Sequence, residues 1–142
     1  MKWREFTKAL EYYLKLSALG DARAMYYAGF IYDRMKDFES AFEWYLKAAE
    51  QRDIFSINAV TAAYVRDRGV EKNFAEAFKW FQKPASRSGE PADIFYEFAD
   101  YCLRNLVVDG NIEADDLEEV IKIYRQAARK GSEQAKIILD NL

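Results

Sequence analysis

The residues of this chain that could carry chemistry are few, because none of its 142 residues is a histidine and Cys102 is the single cysteine. Histidine is the usual general base near neutral pH and the commonest metal ligand. Without it, neither a Ser-His-Asp nor a Cys-His arrangement can form. Cys102 has no activating neighbour along the chain and is typical of a small buried apolar residue. We expect no enzymatic activity and no cofactor.

Among the polar residues, a cluster of carboxylates most resembles a functional site. Residues 105–121 hold six acids and no lysine or arginine: Asp109, Glu113, Asp115, Asp116, Glu118 and Glu119. The oxygens from Asp109 onward alternate as in a calcium loop, but an EF-hand starting there needs glycine at Ala114 and glutamate at Val120. We therefore expect no metal site and predict a turn followed by an acid-rich helix start. As a docking patch, Asp109, Glu113, Asp115 and Asp116 suit a basic protein partner.

A basic stripe is the counterpart of these acids. Lys79, Lys83 and Arg87 follow one another at a spacing of four residues beside Trp80, a combination that could attract phosphate or an acidic peptide. Three cations on an outer helix are more typical of a solvated face, and the whole chain has a net charge of −3. We expect neither nucleic acid nor an anionic membrane to be bound.

We expect neither a secretory signal peptide nor a membrane-spanning segment in this sequence. Residues 1–20 carry Glu5 and Glu11 among their apolar residues and contain no signal-peptide core. No stretch approaches the roughly 18 apolar residues that would span a bilayer. A lone cysteine, which cannot close an intramolecular disulfide, suits a reducing compartment. The sequence therefore predicts a cytoplasmic protein.

The elements that would position these side chains come from an internal repeat. A phrase of the type Ala-Phe-Glu-Trp-Tyr-Leu-Lys-Ala-Ala begins at residue 41 and has related copies beginning at residues 9, 77 and 120. The starts are separated by 32, 36 and 43 residues. Self-similarity at this period is typical of a stacked-repeat protein. We predict a single helical-repeat domain over residues 1–142.

The repeated phrase has the pattern of a helix packed on two sides. Phe42, Tyr45, Leu46 and Ala49 form one stripe at helical spacing, and a second stripe contains Trp44. A helix inside a stack must bury one face against its own partner and another against the next repeat. We therefore expect the recurring aromatic residues to be mostly core: Trp44, Tyr45, Trp80 and Phe81.

A second helix lies between the copies of the phrase. The set Ala24, Ala28-Gly29 and Tyr32 is matched 32 residues later by Ser56, Val60-Thr61 and Tyr64. Each repeat is therefore a pair of helices, and the predicted helices are 2–18, 22–33, 38–51, 54–66, 74–87, 92–104, 116–130 and 133–141. Predicted helix starts use Asp21, Asp53, Asn73 and Asp115 as caps and Pro91 at a first helical position.

These residues give the chain a resemblance to the Sel-one-like (Sel1-like) repeat family, a tetratricopeptide-like class of paired-helix repeats. The resemblance is carried by the phrase at 41–49, by the small residues of 24–32 that precede Tyr32, and by the turn Gly69-Val70. Pro84 departs from the family pattern inside a predicted helix, where we expect a kink. The resemblance implies an all-α fold, a right-handed α-solenoid of stacked antiparallel helix pairs. It also implies recruitment of a protein or peptide, and no catalysis.

By analogy with tetratricopeptide architecture, side chains of the inner helices face a concave groove. Positions that differ between repeats are candidates for recognition, because scaffold positions should recur, and tyrosine and arginine are favoured anchors. The candidates are Arg23, Tyr26, Phe30, Asp33 and Arg34 in the first inner helix, Phe55, Asn58, Ala62 and Arg66 in the second, and Phe95 in the third. Two partner-binding functions stay open: an adaptor with a peptide-binding groove, and a small immunity-type inhibitor that covers a basic toxin with its acidic surface.

Overall fold

The computed structural model describes residues 2–84, 89–110 and 112–142. All regular structure in these ranges is α-helical, which confirms the predicted fold class. The eight helices are α1 (Lys2–Ala18), α2 (Ala22–Arg34), α3 (Phe38–Glu50), α4 (Ile54–Arg66), α5 (Phe74–Phe81), α6 (Pro91–Asp109), α7 (Ala114–Arg129) and α8 (Glu133–Asp140).

Several helices begin at a residue whose side chain accepts a hydrogen bond from a backbone N–H group of the first turn. Asp21 accepts from the backbone N–H of Ala24 at 3.1 Å, and Asn73 accepts from that of Glu76 at 3.0 Å. Asp53 caps α4 in the same way, and Pro91 stands in the first turn of α6. These predicted starts are confirmed. Asp37 and Ser132 cap α3 and α8 as well, which the sequence analysis did not assign.

Helix α5 is shorter than predicted. It ends at Phe81, three residues before Pro84, so the expected kink within a longer helix is wrong. In a continued helix, Pro84 could not donate a hydrogen bond to the Trp80 carbonyl, and its ring would crowd that oxygen. The chain therefore leaves the helix before it reaches Pro84. The predicted remainder of this helix, 85–87 with Arg87, lies outside the described residues.

Helix α6 is longer than predicted, and the predicted connector 105–115 is correspondingly wrong. The helix continues to Asp109 because Leu106 is buried and no helix breaker precedes Gly110, which ends it in a left-handed conformation with φ of 69°. Helix α7 then starts at Ala114, after Glu113. The cap predicted at Asp115 is also wrong, since that residue lies in the first turn.

The chain forms two compact units, one ending at Trp80 and the other beginning at Phe81. In the first unit, α2 packs against α1 and α3, and α3 packs against α4. Tyr45 is buried, as predicted, whereas Trp44 and Trp80 are half-buried. The buried core between α3 and α4 consists of Ala41, Phe42, Tyr45, Ala49, Ile57, Val60 and Ala63.

Gly69, in the first unit, occupies a position where any side chain would clash with the backbone of α3. Gly69 has φ of 79°, and a Cβ there would collide with the carbonyl group of Phe38 at the start of α3. The connector after α4 can lie against α3 because this position lacks a side chain. The Gly69-Val70 turn noted in the sequence is thus a close-approach site.

In the second unit, α7 packs against α6 and α8. Phe81 is buried, as predicted, with its ring centroid 5.2 Å from that of Phe98 and 5.4 Å from that of Tyr101. Cys102 is 0% exposed, and this burial raises the pKa of its thiol, so the sulfur is held as the neutral thiol. The residue packs as a small apolar side chain, as predicted.

Across the described part of the chain, no helix combines the length and the apolar character needed to cross a lipid bilayer.

Candidate partner-binding surface

A charged contact links α2 to the start of α4. Nε of Arg23 donates to Oδ1 of Asp53 at 3.0 Å, and the Arg23 guanidinium lies 4.5 Å from the ring centroid of Phe55. The other carboxylate oxygen of Asp53 caps α4 by accepting from the N–H and hydroxyl of Ser56. The same carboxylate raises the pKa of Arg23 through this hydrogen bond. The cap therefore also orients the arginine and the phenylalanine.

Tyr26 is the centre of an aromatic cluster on this face. Its ring centroid lies 5.7 Å from that of Phe55, 5.6 Å from that of Tyr45 and 6.4 Å from that of Phe30. Burial raises the pKa of the Tyr26 hydroxyl, so it stays protonated well above neutral pH. The rings of Phe30 and Phe55 are 43% and 52% exposed. Two large apolar rings are thus held in place at the surface.

The aromatic cluster continues onto α1 through residues that the sequence analysis missed. Tyr27 lies beside Tyr26 with centroids 5.4 Å apart, and it stacks on Tyr13 at 5.0 Å. Tyr13 in turn contacts Tyr12, which is 60% exposed. The paired tyrosines of the sequence, 12–13 and 26–27, were the available signal. We call the five contacting rings the aromatic row: Tyr12, Tyr13, Tyr27, Tyr26 and Phe55.

Charged residues follow at the C-terminal ends of α2 and α4. The Arg34 guanidinium lies 5.8 Å from the ring centroid of Phe30. A carboxylate oxygen of Asp33 lies 3.9 Å from a guanidinium nitrogen of Arg68, and the Asp33 carboxylate also interacts with the Tyr45 hydroxyl. Burial and this carboxylate raise the pKa of Tyr45, which keeps its hydroxyl a donor. Arg68 was absent from the predicted set.

Beside these charges lies a pocket of about 80 Å³. Most of its lining residues are apolar, and its charged residues are Asp33, Arg66 and Arg68. The structure thus brings most candidates of the first two inner helices onto one face, with Asn58 half-buried in α4. The apolar lining residues are Phe38, Ala41, Phe42, Tyr45, Ala59, Ala62 and Ala63.

Phe95 belongs to the second unit. It is half-buried in α6, and Nζ of Lys130 lies 5.2 Å from its ring centroid.

The acidic candidates separate by burial. Asp109, Glu113 and Asp115 are exposed, whereas Asp116 is 5% exposed in the first turn of α7 and cannot be part of an open surface. Among the residues that the structure describes, no three acidic or thiol groups are placed to hold a metal ion. The sequence analysis overlooked the aliphatic neighbours of these acids: Val107, Val108, Ile112 and Leu117, which are all exposed.

The basic stripe is only partly described. Nζ of Lys79 lies 3.1 Å from a carboxylate oxygen of Glu76 on the same helix, and Lys83 follows the end of α5. A surface ion pair of this kind is typical of a solvated helix face.

Comparison with protein families gives a match over most of the chain. A family model described as Sel1 repeat matches residues 4–21, 22–53, 62–88 and 101–132, which together are more than half of the chain. The second matched segment holds the phrase at 41–49, and the fourth holds its copy at 120–128. A comparison with curated proteins gives no match.

Solved structures give the same fold. A Sel1 repeat protein from Oxalobacter formigenes is 25% identical, with a TM-score of 0.56 over 93% of this chain. The protective antigen c5321 of uropathogenic Escherichia coli, which displays an SLR fold, is 20% identical, with a TM-score of 0.52 over 94% of this chain. The matches cover 53% of the first protein and 35% of the second, so this chain spans about half or less of either.

Proposed function

The chain belongs to the Sel1 repeat family, and we propose on that premise that it is a non-catalytic module that binds a protein or peptide partner on the face formed by α2 and α4. Proteins of this family generally mediate protein–protein interactions, and their fold is typically a non-catalytic scaffold. The family gives the general role, whereas the binding face and its residues are proposed from the structure of this chain.

The aromatic row is the observation that carries the proposal. A folded chain has no structural need to leave Phe55 and Tyr12 more than half exposed while ordering them against other rings. Aromatic side chains lose little conformational entropy on binding and are enriched among interface anchors, together with arginine. The row therefore provides apolar contact area, and Arg23 and Arg34 provide charge beside it.

Sequence variation between the repeats supports the same face. Arg23, Tyr26 and Phe30 are replaced 32 residues later by Phe55, Asn58 and Ala62. Packing positions, in contrast, stay apolar and buried: Ala28 is matched 32 residues later by Val60. Residues that vary on a recurring scaffold are not fixed by a packing role that the repeats share, and such variation is what partner selection requires.

Contacts between α2 and α4 prepare this face for binding. The ion pair between Arg23 and Asp53 and the ring contact between Tyr26 and Phe55 hold side chains of both helices in the unbound protein. Ordered side chains lose less entropy when a partner arrives, so more of the contact energy is available for affinity.

Affinity capture followed by mass spectrometry, and then binding measurements with the captured partner, tests the proposal. Tyr26→Ala with Arg34→Glu, or Arg66→Glu alone, should weaken binding about 30-fold or more, since central anchors contribute about 2 kcal/mol each. Tyr26→Ala should also lower the melting temperature, because its ring packs against the buried Tyr45, so binding is measured well below that temperature, where the variant is folded. Arg104→Glu on α6 is the matched charge-reversal control and should bind normally. Normal binding by both groove variants would contradict the proposal.

The acidic end of α6 supports a second candidate function, an immunity-type inhibitor of a basic toxin or enzyme. The observation that favours it is the mixture at this surface, where Asp109, Glu113 and Asp115 are exposed beside Val107 and Val108. Exposed acidic and aliphatic groups on one stretch of chain complement a basic partner with an apolar contact area. A captured basic protein that is lost on mutation of this surface, and not of the α2 and α4 face, would favour the inhibitor.

A further inference from the structure

The pocket between α3 and α4 has the chemistry of a specific subsite on the binding face. We propose that it receives one aliphatic side chain of an acidic peptide segment, whose neighbouring carboxylate is bound by Arg66 and Arg68. The inference rests on the proposed function and identifies the class of partner: an apolar residue flanked by aspartate or glutamate.

The pocket exists because α4 carries small residues where α2 carries large ones. Ala59 and Ala62 lie 32 residues after Tyr27 and Phe30 and line the pocket. The rings that would fill this space in a regular repeat are therefore missing from the second repeat. Phe42, a core residue of the first unit, also lines the pocket.

The size and the lining of the pocket favour an aliphatic occupant. Its volume of about 80 Å³ exceeds the roughly 10 to 15 Å³ that one water molecule requires and is below the 150 Å³ of a benzene-sized cavity. One branched aliphatic side chain or a few water molecules would fit. Water molecules against alanine and phenylalanine walls find few hydrogen-bond partners, so an apolar group that displaces them gains binding energy.

The charges around the pocket determine which charge a bound segment should carry. Arg66 and Arg68 supply two positive charges against one negative charge from Asp33, on a chain whose net charge is −3. The Asp33 carboxylate lies 3.9 Å from Arg68, so this pair contributes no net charge and the lining as a whole keeps one net positive charge. An incoming carboxylate can form charge-assisted, two-point hydrogen bonds with a guanidinium group.

Three fluorescein-labelled synthetic peptides test the inference by fluorescence anisotropy. The first has a leucine with two glutamates on each side, the second has alanine in place of the leucine, and the third has lysines in place of the glutamates. We expect the first to bind at least about tenfold more tightly than the second, because three carbons of apolar contact are lost. The third should not bind. A first peptide that binds no better than the others would overturn the inference.

Protein variants link the binding to the pocket. Ala62→Phe places in the second repeat the ring found at Phe30 and should abolish the preference for leucine over alanine, whereas Ala62→Ser should keep it. Ala59→Leu is the second filling variant if Ala62→Phe lowers the melting temperature. The double variant Arg66→Glu with Arg68→Glu should reverse the preference toward the lysine peptide. A leucine preference that survives both filling variants would overturn the subsite.

The failure of the subsite is distinguishable from failure of the proposed function. If Phe55→Ala weakens peptide binding and the filling variants do not, the face binds and the pocket is not its subsite. If the captured cellular partner binds normally to the variant Tyr26→Ala with Arg34→Glu and to Arg66→Glu, the proposed face itself is wrong.

Discussion

Gly29 of α2 lies against the ring of Tyr45 of α3 so closely that a Cβ at this glycine would be 2.7 Å from Cδ1 and 2.9 Å from Cε1 of the tyrosine. The same Cβ would be 3.1 Å from the carbonyl oxygen of Ala41. Helices α2 and α3 therefore meet at a point where a side chain has no room. In the next repeat, Thr61 occupies the matching position and turns its hydroxyl to the carbonyl of Ile57 at 2.8 Å.

Gly29→Ala should destabilise the first unit. Alanine is favoured over glycine in a helix by about 1 kcal/mol, but overpacking of a filled core costs about 1 to 3 kcal/mol. Both the Tyr45 ring and the Ala41 backbone oppose the new methyl group, so we expect the cost to exceed the gain. Urea unfolding measures the change. Gly89→Ala, where nothing lies within 4 Å of the added Cβ, is the control and should not lose stability.

Much of the fold could be predicted from spacing and cap residues, because these act locally. The period of 32 residues placed Gly29 and Thr61 at matching buried positions, and Asp21 and Asp53 marked helix starts. The ends of α5 and α6 were harder to predict. A proline such as Pro84 restricts the residues before it, and Gly110 ends a helix whose last turns depend on the burial of Leu106, which requires the three-dimensional structure.

The candidate site was predictable in its residue types and not in its extent. Differences between repeats identified Tyr26 and Phe55, which do contact each other. The ring stacking of Tyr13 on Tyr27 depends on how α1 packs against α2, and the pocket depends on space left by Ala59 and Ala62. An unfilled space cannot be read from the identity of any one residue.

Asp53→Ala should lower the free energy of unfolding more than Asp37→Ala does. Each aspartate accepts from the N–H and the hydroxyl of a serine three residues later, and loss of such a cap costs about 1 kcal/mol. Asp53 also accepts from Arg23, and its serine partner Ser56 is 0% exposed. Urea titrations of the two variants measure the difference. Equal losses would show that the link to α2 contributes nothing.

Stability should fall at alkaline pH, partly through Tyr124. Burial raises the pKa of Tyr124 from 10.0 to about 12, and its side chain is 3% exposed. Between pH 10 and 12, the unfolded chain therefore loses this proton before the folded chain does, which favours unfolding. At pH 11 the loss from this group is about 1 kcal/mol.

Unfolding curves of wild type and Tyr124→Phe between pH 8 and 11 check this contribution. The difference in stability between the two should be constant up to about pH 9 and then move in favour of the variant. Tyr12→Phe is the control, since the Tyr12 side chain is 60% exposed. Parallel profiles for wild type and Tyr124→Phe would contradict the assignment.

Trp44→Ala should cost about 2 kcal/mol, below the roughly 3 to 5 kcal/mol of a fully buried aromatic residue. The ring is half-buried, and Nζ of Lys47 lies 4.3 Å from its centroid. Part of the ring therefore keeps its contact with water when the protein folds. Equilibrium unfolding followed by far-ultraviolet circular dichroism measures the cost. A loss above 4 kcal/mol would show that the ring is packed more completely than this.

Neutralising the exposed acids at the end of α6 and the start of α7 tests whether they belong to the partner interface. Asp109→Asn with Asp115→Asn removes two exposed negative charges, whereas Asp116 is too buried for a matched substitution. If this surface attracts a basic partner, association should slow and its salt dependence should weaken, while dissociation stays nearly unchanged, because exposed charges act mainly on encounter. Stopped-flow binding at two salt concentrations measures both rates. Unchanged association, together with weakened binding by the Tyr26 and Arg34 variant, would assign the interface to the α2 and α4 face.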